Sequence, residues 1–474
     1  MTLLNYIKQY TENNPLPMHM PGHKRNINMF PYLNQLTAEC DLTEIPPMDD
    51  LHAPEGIIKS CQRKAEKLWH SRNSYFLVNG STCGILAGIR GCTNTGDKVL
   101  VARNCHKSVY NAIELCQLQP IYIIPSLSKD LPIYTSINVE AITQALNKNE
   151  DIKLVIITSP TYEGVISDIK EIVKICHNKN IPVLVDEAHG AHLNLSPFFT
   201  NGAVMAGADI VIQSLHKTLP SLTQTAILHL NSNLIPAQKI KRQLAIFQTS
   251  SPSYLLMSSI DSCITALTEN PKLFHHWENN LKYFQGKVCN LKKLFILNYT
   301  HPTGNDIFAF DNSKIIISTS KTNINSIQLA NLLKNKYNIE LEMFSGDYCV
   351  AMTGIGDSKE NLSTFADALL EIDNSIDFST SPTICTSISN LPPTACTISI
   401  ALSRESQVIP LENSLNKISA EYIWVYPPGI PLITPGEIIT NELIKTIKTA
   451  ISYNMNLQKT FSMENNEISV IADS

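Results

Sequence analysis

The chain has no run of eighteen consecutive apolar residues, so it contains no candidate for a helix that crosses a bilayer. It has no basic block and no basic stripe interleaved with aromatics, and its formal net charge is only -5, so nucleic acid is not expected as a partner. The 12 cysteines include no C-x-x-C pair, the closest two being Cys83 and Cys92. Zinc and dithiol chemistry therefore lack their usual ligand spacing, and free thiols in a reducing cytoplasm are expected. From Met1 to Asn14 no basic region precedes an apolar core. Leu3, Leu4, Ile7 and Tyr10 fall at helical spacing instead, which predicts a short amphipathic helix and not a signal peptide. Internal repeats are also missing. What the chain does have is length and apolar content: 474 residues at 43% hydrophobic can bury a large core in two or three domains.

From about residue 56 the pattern alternates between helix and strand. Ile57 to Trp69 has helical periodicity, Tyr75 to Val78 reads as a strand, and Asn79-Gly80-Ser81-Thr82-Cys83-Gly84 leads into a helix. Strands follow at Lys98 to Ala102, Pro120 to Ile124 and Lys153 to Thr158, with helices through Leu115, near Asn138 to Leu146 and from Asp168 to His177. Such alternation predicts a mainly parallel α/β sheet covered on both faces, with its site beyond the carboxyl ends of the strands. Thr223 to Ala226 reads as a further strand. Residues 271–375 read as a smaller α/β lobe, with a long helix near His275 to Leu294 and strands at Lys314 to Thr319 and Tyr348 to Thr353. The Ser, Thr and Pro-rich stretch 376–394 is the linker candidate, a C-terminal lobe covers 395–474, and the polar tail after Tyr453 is expected to fray. The expected division is thus an N-terminal segment 1–55, a large domain 56–270, the small lobe, the linker and the C-terminal lobe.

Three stretches carry chemistry. The apolar run Ala208 to Ile212 ends in Ser214-Leu215-His216-Lys217, the way many pyridoxal phosphate enzymes present their Schiff-base lysine. An aldehyde cofactor needs an amine in a partly desolvated place, where the ammonium form is disfavoured. Upstream, Asp186 closes the apolar strand of Ile181-Pro182-Val183-Leu184-Val185-Asp186. It either caps the next turn or keeps a pyridine-ring nitrogen protonated, so that the ring acts as electron sink. The glycine-rich turn at Gly80-Ser81-Thr82 leaves N–H groups and hydroxyls at the positive end of a helix, which makes a phosphate cradle or an ordinary helix start.

Other loops are polar without a single reading. Pro17-Met18-His19-Met20-Pro21-Gly22-His23-Lys24-Arg25 cannot be regular and lines a site or serves the fold; His19 and His23 lack the further ligand that a metal would need. Asp41 to His52 carries four acids, as a solvated loop or as receivers of a cationic substrate. Thr161, in Ser159-Pro160-Thr161-Tyr162, is placed to approach a cofactor, and Gln248 to Tyr254 reads as a turn and helix cap.

Taken together, Met20-Pro21-Gly22-His23-Lys24, Asp41-Leu42-Thr43-Glu44, Asn79-Gly80-Ser81-Thr82, Arg103-Asn104-Cys105-His106-Lys107-Ser108, Asp186-Glu187-Ala188-His189-Gly190-Ala191-His192, Ser214-Leu215-His216-Lys217 and Tyr426-Pro427-Pro428-Gly429 resemble the bacterial ornithine/lysine/arginine decarboxylases over residues 15–440. The resemblance implies an aminotransferase-like fold with pyridoxal 5'-phosphate as cofactor and a homodimer or higher homo-oligomer whose active site lies at the interface. It also implies a short form without the receiver-like N-terminal domain of longer members. Lys217 then resembles the Schiff-base lysine, Asp186 the partner of the ring nitrogen, and His106 the residue stacked on the ring. Ser81, Thr82, Ser214 and His216 resemble phosphate ligands, and His189 a residue beside the cofactor's phenolic oxygen. The Gln248 to Tyr254 stretch would reach a neighbouring subunit's phosphate. Asn416 to Glu421 departs from the family's pattern, where Gly-Arg is expected.

The reaction implied is decarboxylation of arginine, lysine or ornithine to agmatine, cadaverine or putrescine. The substrate's distal cation should meet a carboxylate, with Glu44, Asp49, Asp50 and Glu437 as candidates. An aminotransferase of the same fold would clamp the α-carboxylate with a late arginine, and after Lys217 the chain has only Arg242 and Arg404. A catalytically silent regulator is the alternative from another class, opposed by the intact Lys217 and Asp186. A metal hydrolase built on His189 and His192 lacks the i, i+4 placement of H-E-x-x-H.

Overall fold

In the computed structural model, which describes residues 2–45, 48–129, 131–297, 306–379, 388–426, 429–453 and 455–472, seven strands form the central sheet. Their order is Asn73–Leu77, Ala226–Leu230, Ile210–Ser214, Val183–Asp186, Ile152–Thr158, Lys98–Ala102 and Gln119–Ile123. The last five run parallel to one another, and Ala226–Leu230 runs antiparallel to both of its neighbours. The middle strands are buried along almost their whole length because helices cover both faces; of Ile152–Thr158 only Lys153 is exposed.

The helix Gly80–Cys92 packs close against the sheet through its glycines. A Cβ on Gly84 would stand 2.6 Å from Leu77 Cδ1, and one on Gly88 2.8 Å from Leu184 Cδ1. Helix Ile57–Trp69 is capped from outside its own sequence, since Asp49 accepts the N–H groups of Gly56 at 2.9 Å and Ile58 at 2.8 Å.

A four-stranded antiparallel sheet, Phe295–Ile296, Lys314–Ser318, Tyr348–Met352 and Met343–Ser345, forms the smaller lobe together with helices Lys272–Val288 and Lys359–Ser375. Strand Leu16–Met18 pairs with Ile339–Leu341, which seats the N-terminal segment on this lobe. The C-terminal residues pack a separate cluster around Ile423, Ile447 and Ile468.

Three expectations need correction. The strand expected at Thr223 to Ala226 begins only at Ala226, because Thr225 Oγ1 bonds back to Leu222 O at 2.7 Å and Gln224 has φ 85. The long helix starts at Lys272 and ends at Val288, where the expected span was His275 to Leu294. Among the described residues the tail is anchored: Glu467–Ile471 pairs with Ser406–Pro410, and the alternation buries Ile468 and Val470. Within the expected linker, residues 380–387 lie outside the described residues, as do Pro427 and Pro428.

Candidate active site

One cavity opens at the carboxyl ends of the parallel strands, and Ser81, Thr82, His106, Thr161, Asp186, His189, Ser214, His216 and Lys217 all line it. The register explains the convergence: Thr158 stands opposite Asp186 in adjacent strands, and Ser214 ends the next strand. Residues far apart in sequence reach one place because each ends or follows a strand of the sheet.

Lys217 sits in a single helical turn, Leu215–Thr218, directly after its strand. Its Nζ is 2.8 Å from His189 Nε2. Burial pushes its pKa down to about 8 and Lys314 adds to the fall, while Asp186 and Glu342 oppose it. A neutral amine is therefore accessible near neutrality. Asp186 is buried and accepts the N–H of Ala188 at 3.1 Å; burial raises its pKa, against the charge of Lys217.

Three histidines are held neutral. Burial, with Lys217 and Lys107 behind it, pushes His106 down to about 3. Its Nδ1 accepts the N–H of Ser108 at 3.3 Å, which fixes the ring at the start of helix Lys107–Leu115. A neutral imidazole so fixed lines the cavity. Burial likewise takes His216 to about 4, against its bond to a carbonyl, and its Nδ1 donates to Thr225 O at 2.9 Å. His189 is driven well down, by burial and then by Lys217; its Nδ1 is buried with no hydrogen-bond partner, and its ring lies 4.8 Å from that of Tyr162.

At the cavity floor Ser81 Oγ and Ser214 Oγ are 2.6 Å apart. Helix Gly80–Cys92 begins there without a side-chain cap, so its first N–H groups face the cavity. This donor set, together with the unpartnered His189 Nδ1 and Asn104 Oδ1, fits a phosphorylated heteroaromatic ligand.

The four carboxylates expected to receive a substrate cation do not line this cavity. Glu44 is exposed to solvent. Asp49 is the external cap of helix Ile57–Trp69, and Asp50 Oδ1 accepts the N–H of His52 at 2.8 Å. Glu437 is corrected most plainly: it is 0% exposed, and its Oε2 is 3.0 Å from Arg103 Nη2 and accepts the N–H of Thr434 at 2.8 Å. Its charge is already paired. The Pro-Gly-His-Lys loop serves the fold, with Lys24 Nζ buried and donating to His19 O at 2.6 Å and Met352 O at 2.7 Å. His192 is also structural, bonded to Asp311 Oδ1 at 3.0 Å and packed on Trp277.

Sequence reasoning passed over Asn104, Ser108, Thr158 and Tyr162, which line the cavity, and Glu342, which bonds to Tyr162. Asn104, Ser108 and Tyr162 lie within motifs already noted, and Thr158 adjoins one. Glu342 sits between two three-residue strands of the small lobe, and no local pattern marks it.

The family model for the Orn/Lys/Arg decarboxylase major domain matches residues 2–302, and that for the C-terminal domain of the same family matches residues 388–461. This chain belongs to the Orn/Lys/Arg decarboxylase family. It is similar to an arginine decarboxylase of Bacillus subtilis, with 33% identity over 93% of this chain and 91% of that one. A second relative, arginine decarboxylase of Halalkalibacterium halodurans, is 32% identical over 94% of this chain and 92% of its own length. Among solved structures, the lysine decarboxylase LdcF of Francisella novicida superposes with a TM-score of 0.76 at 17% identity, covering 90% of this chain and 73% of that one. The fold is therefore aminotransferase-like, and the chain is an amino-acid decarboxylase of the class that acts on basic amino acids.

Proposed function

We propose that the chain decarboxylates arginine to agmatine and carbon dioxide, with pyridoxal phosphate held through Lys217. The observation that carries the substrate is the near full-length similarity to relatives named arginine decarboxylase. When bound, the cofactor supplies the sink for the electron pair released as the Cα–carboxylate bond breaks. The chain's own groups do the rest. Lys217 offers a neutral amine, Asp186 would hold the proton of a ring nitrogen, and the neutral imidazole of His106 would stack on the ring. The uncapped N–H groups at Ser81 and Thr82, with the Ser81 and Ser214 hydroxyls and His216, take the phosphate. Substrate orientation decides between breaking the carboxylate bond and breaking the Cα–H bond.

Transamination gains no support from the arginines. Arg242 and Arg404 are both exposed and neither lines the cavity, while Arg103 is occupied by Glu437. The family resemblance supports a homo-oligomer with the site at its interface, which molar mass by light scattering would test. Among the described residues no helix is long and apolar enough to cross a membrane.

The experiment is to load the purified protein with pyridoxal phosphate and assay amine product from arginine, lysine and ornithine separately. Agmatine as the main product is expected. Cadaverine or putrescine in its place would move the substrate within the family, and no product from any of the three would remove the decarboxylase reading.

A further inference from the structure

The turn Leu215–Thr218 that carries Lys217 is 4 residues long, so its own hydrogen bonds cannot hold it and its surroundings must. Its main chain is gripped twice, by Gly22 N–H on His216 O at 2.7 Å and by Ile355 N–H on Thr218 O at 3.0 Å. A third grip runs through side chains. Thr218 Oγ1 is 3.2 Å from His192 Nδ1, and His192 Nε2 donates to Asp311 Oδ1 at 3.0 Å.

Asp311 belongs to the small lobe, where that lobe meets the wall of the cavity. Strand Ala309–Phe310 pairs with Val165–Ile166, shortly after the turn of Thr161, and Asp311 N–H donates to Gly164 O at 2.8 Å. Asp311 Oδ2 accepts the Ser313 hydroxyl at 2.7 Å and lies 3.4 Å from Lys314 Nζ. Burial would raise the Asp311 pKa, but His192 and Lys314 outweigh it and hold the group below the usual carboxylate range. An ionised Asp311 only accepts, so His192 carries a hydrogen on Nε2 and leaves Nδ1 to the Thr218 hydroxyl. The ring is caged between these partners, with Phe199 edge-on at 4.7 Å and Trp277 at 5.1 Å between centroids.

A threonine, a histidine and an aspartate bonded in a row have the makings of a second nucleophilic site. Burial decides against it: Thr218 and His192 are 0% exposed and Asp311 1%, and none of the three lines the catalytic cavity. A chain of bonds closed to any ligand holds its own members in place. What it holds is the neighbour of the reactive amine.

We infer that His192, set by Asp311, is a positioning residue for Lys217: through Thr218 it clamps the lysine's turn to the small lobe and keeps the amine in its desolvated place beside His189. The inference rests on the reading of Lys217 as the amine that takes the cofactor, and deepens it. The charged and titratable groups around Lys217 are Asp186, His189, His106, His216, Lys314 and Glu342. None of them is altered in the variants below.

The test follows capture of pyridoxal phosphate by the apoprotein against pH, by stopped-flow absorbance, in the wild type, Thr218→Val, Thr218→Ser and His192→Gln. Valine keeps the shape of threonine and removes the hydroxyl, and glutamine in place of His192 reaches Asp311 but not Thr218. Without the clamp the turn admits water to Lys217, so the midpoint of capture should rise from about 8 by about one pH unit, toward the ordinary lysine value, and capture at neutral pH should slow about tenfold. Thr218→Ser keeps the hydroxyl and should keep the wild-type midpoint. The double variant of Thr218→Val with His192→Gln should be no worse than either alone, since both cut the same bond. A midpoint unmoved in Thr218→Val and His192→Gln, even beside a lower Tm, overturns the inference, as does a double variant in which the two effects multiply. Should Thr218→Val not fold, the midpoint of His192→Gln decides alone. Wild-type apoprotein that captures no pyridoxal phosphate, or Lys217→Ala that captures it with unchanged absorbance, is the separate failure of the cofactor reading.

Discussion

Arg103 and Glu437 form an ion pair at 3.0 Å with both side chains 1% exposed, joining the end of strand Lys98–Ala102 to the loop after Ile430–Ile433. Arg103 also donates to Pro431 O at 2.6 Å and to Tyr110 Oη at 3.1 Å. His106 follows three residues later, and Gly429 lies beside its ring, a Cβ there standing in ordinary contact at 3.6 Å from His106 Cδ2. The pair therefore fixes the C-terminal lobe over the cofactor cavity. Glu437→Gln would leave a buried guanidinium without a counter-charge, at an expected cost of about 3–5 kcal/mol. Urea denaturation of the two proteins measures it, and a loss below about 1 kcal/mol would show that the C-terminal lobe is held by other contacts.

Asp186 tests the electron-sink role. It is buried, at the end of its strand, with the N–H of Ala188 as a hydrogen-bond donor. Asp186→Ala should bind pyridoxal phosphate poorly and lose turnover by orders of magnitude, because nothing then holds a proton on the ring nitrogen. Steady-state rates at saturating cofactor decide the matter; near-normal turnover would withdraw the role.

Much of this was legible in sequence, and the reason is physical. Strand Lys98–Ala102 and helix Ile57–Trp69 occur where the pattern placed them, since a parallel sheet covered on both faces demands an unbroken apolar run and an outer helix demands one apolar face. The convergence of Lys217, Asp186 and Ser81 on one cavity was legible because each ends or follows a strand in a recognisable motif. The pairing of the acids was not. Asp49 and Glu437 look identical to binding acids in a sequence, and only three dimensions reveal that one caps a helix and the other neutralises Arg103. Glu342 meets Tyr162 through the docking of the small lobe, which no local spacing encodes.

The lysine carries a pH prediction whose sign follows from its environment. Burial lowers the Lys217 pKa from 10.5 to about 8, so the neutral amine is half formed near that value and the ammonium dominates below it. Capture of pyridoxal phosphate by the apoprotein should accordingly quicken as pH rises and level off above about 8, well short of where an exposed lysine would plateau. Stopped-flow absorbance over neutral to alkaline pH follows it directly. Lys217→Ala should show neither turnover nor the visible absorbance of bound cofactor, and activity in that variant would sink the assignment.

The last prediction concerns the loop that backs the lysine. Gly22 N–H donates to His216 O at 2.7 Å, and a Cβ on Gly22 would stand 2.3 Å from the carbonyl carbon of Thr218 and 2.6 Å from Leu219 N. Both obstacles are backbone, so neither can rotate away. On the other side Gly354 is equally close, a Cβ there lying 2.7 Å from Gly22 Cα. Gly22→Ala must therefore push the turn Leu215–Thr218, and Lys217 with it, at an expected cost of about 1–3 kcal/mol. Gly286→Ala makes the matched control, because a Cβ there meets nothing within 4 Å and its helix Lys272–Val288 should gain slightly. Thermal unfolding and cofactor titration of both variants would separate the effects. Weaker cofactor retention in Gly22→Ala alone is the expected pattern, and equal behaviour of the two would mean that the loop does not support the lysine.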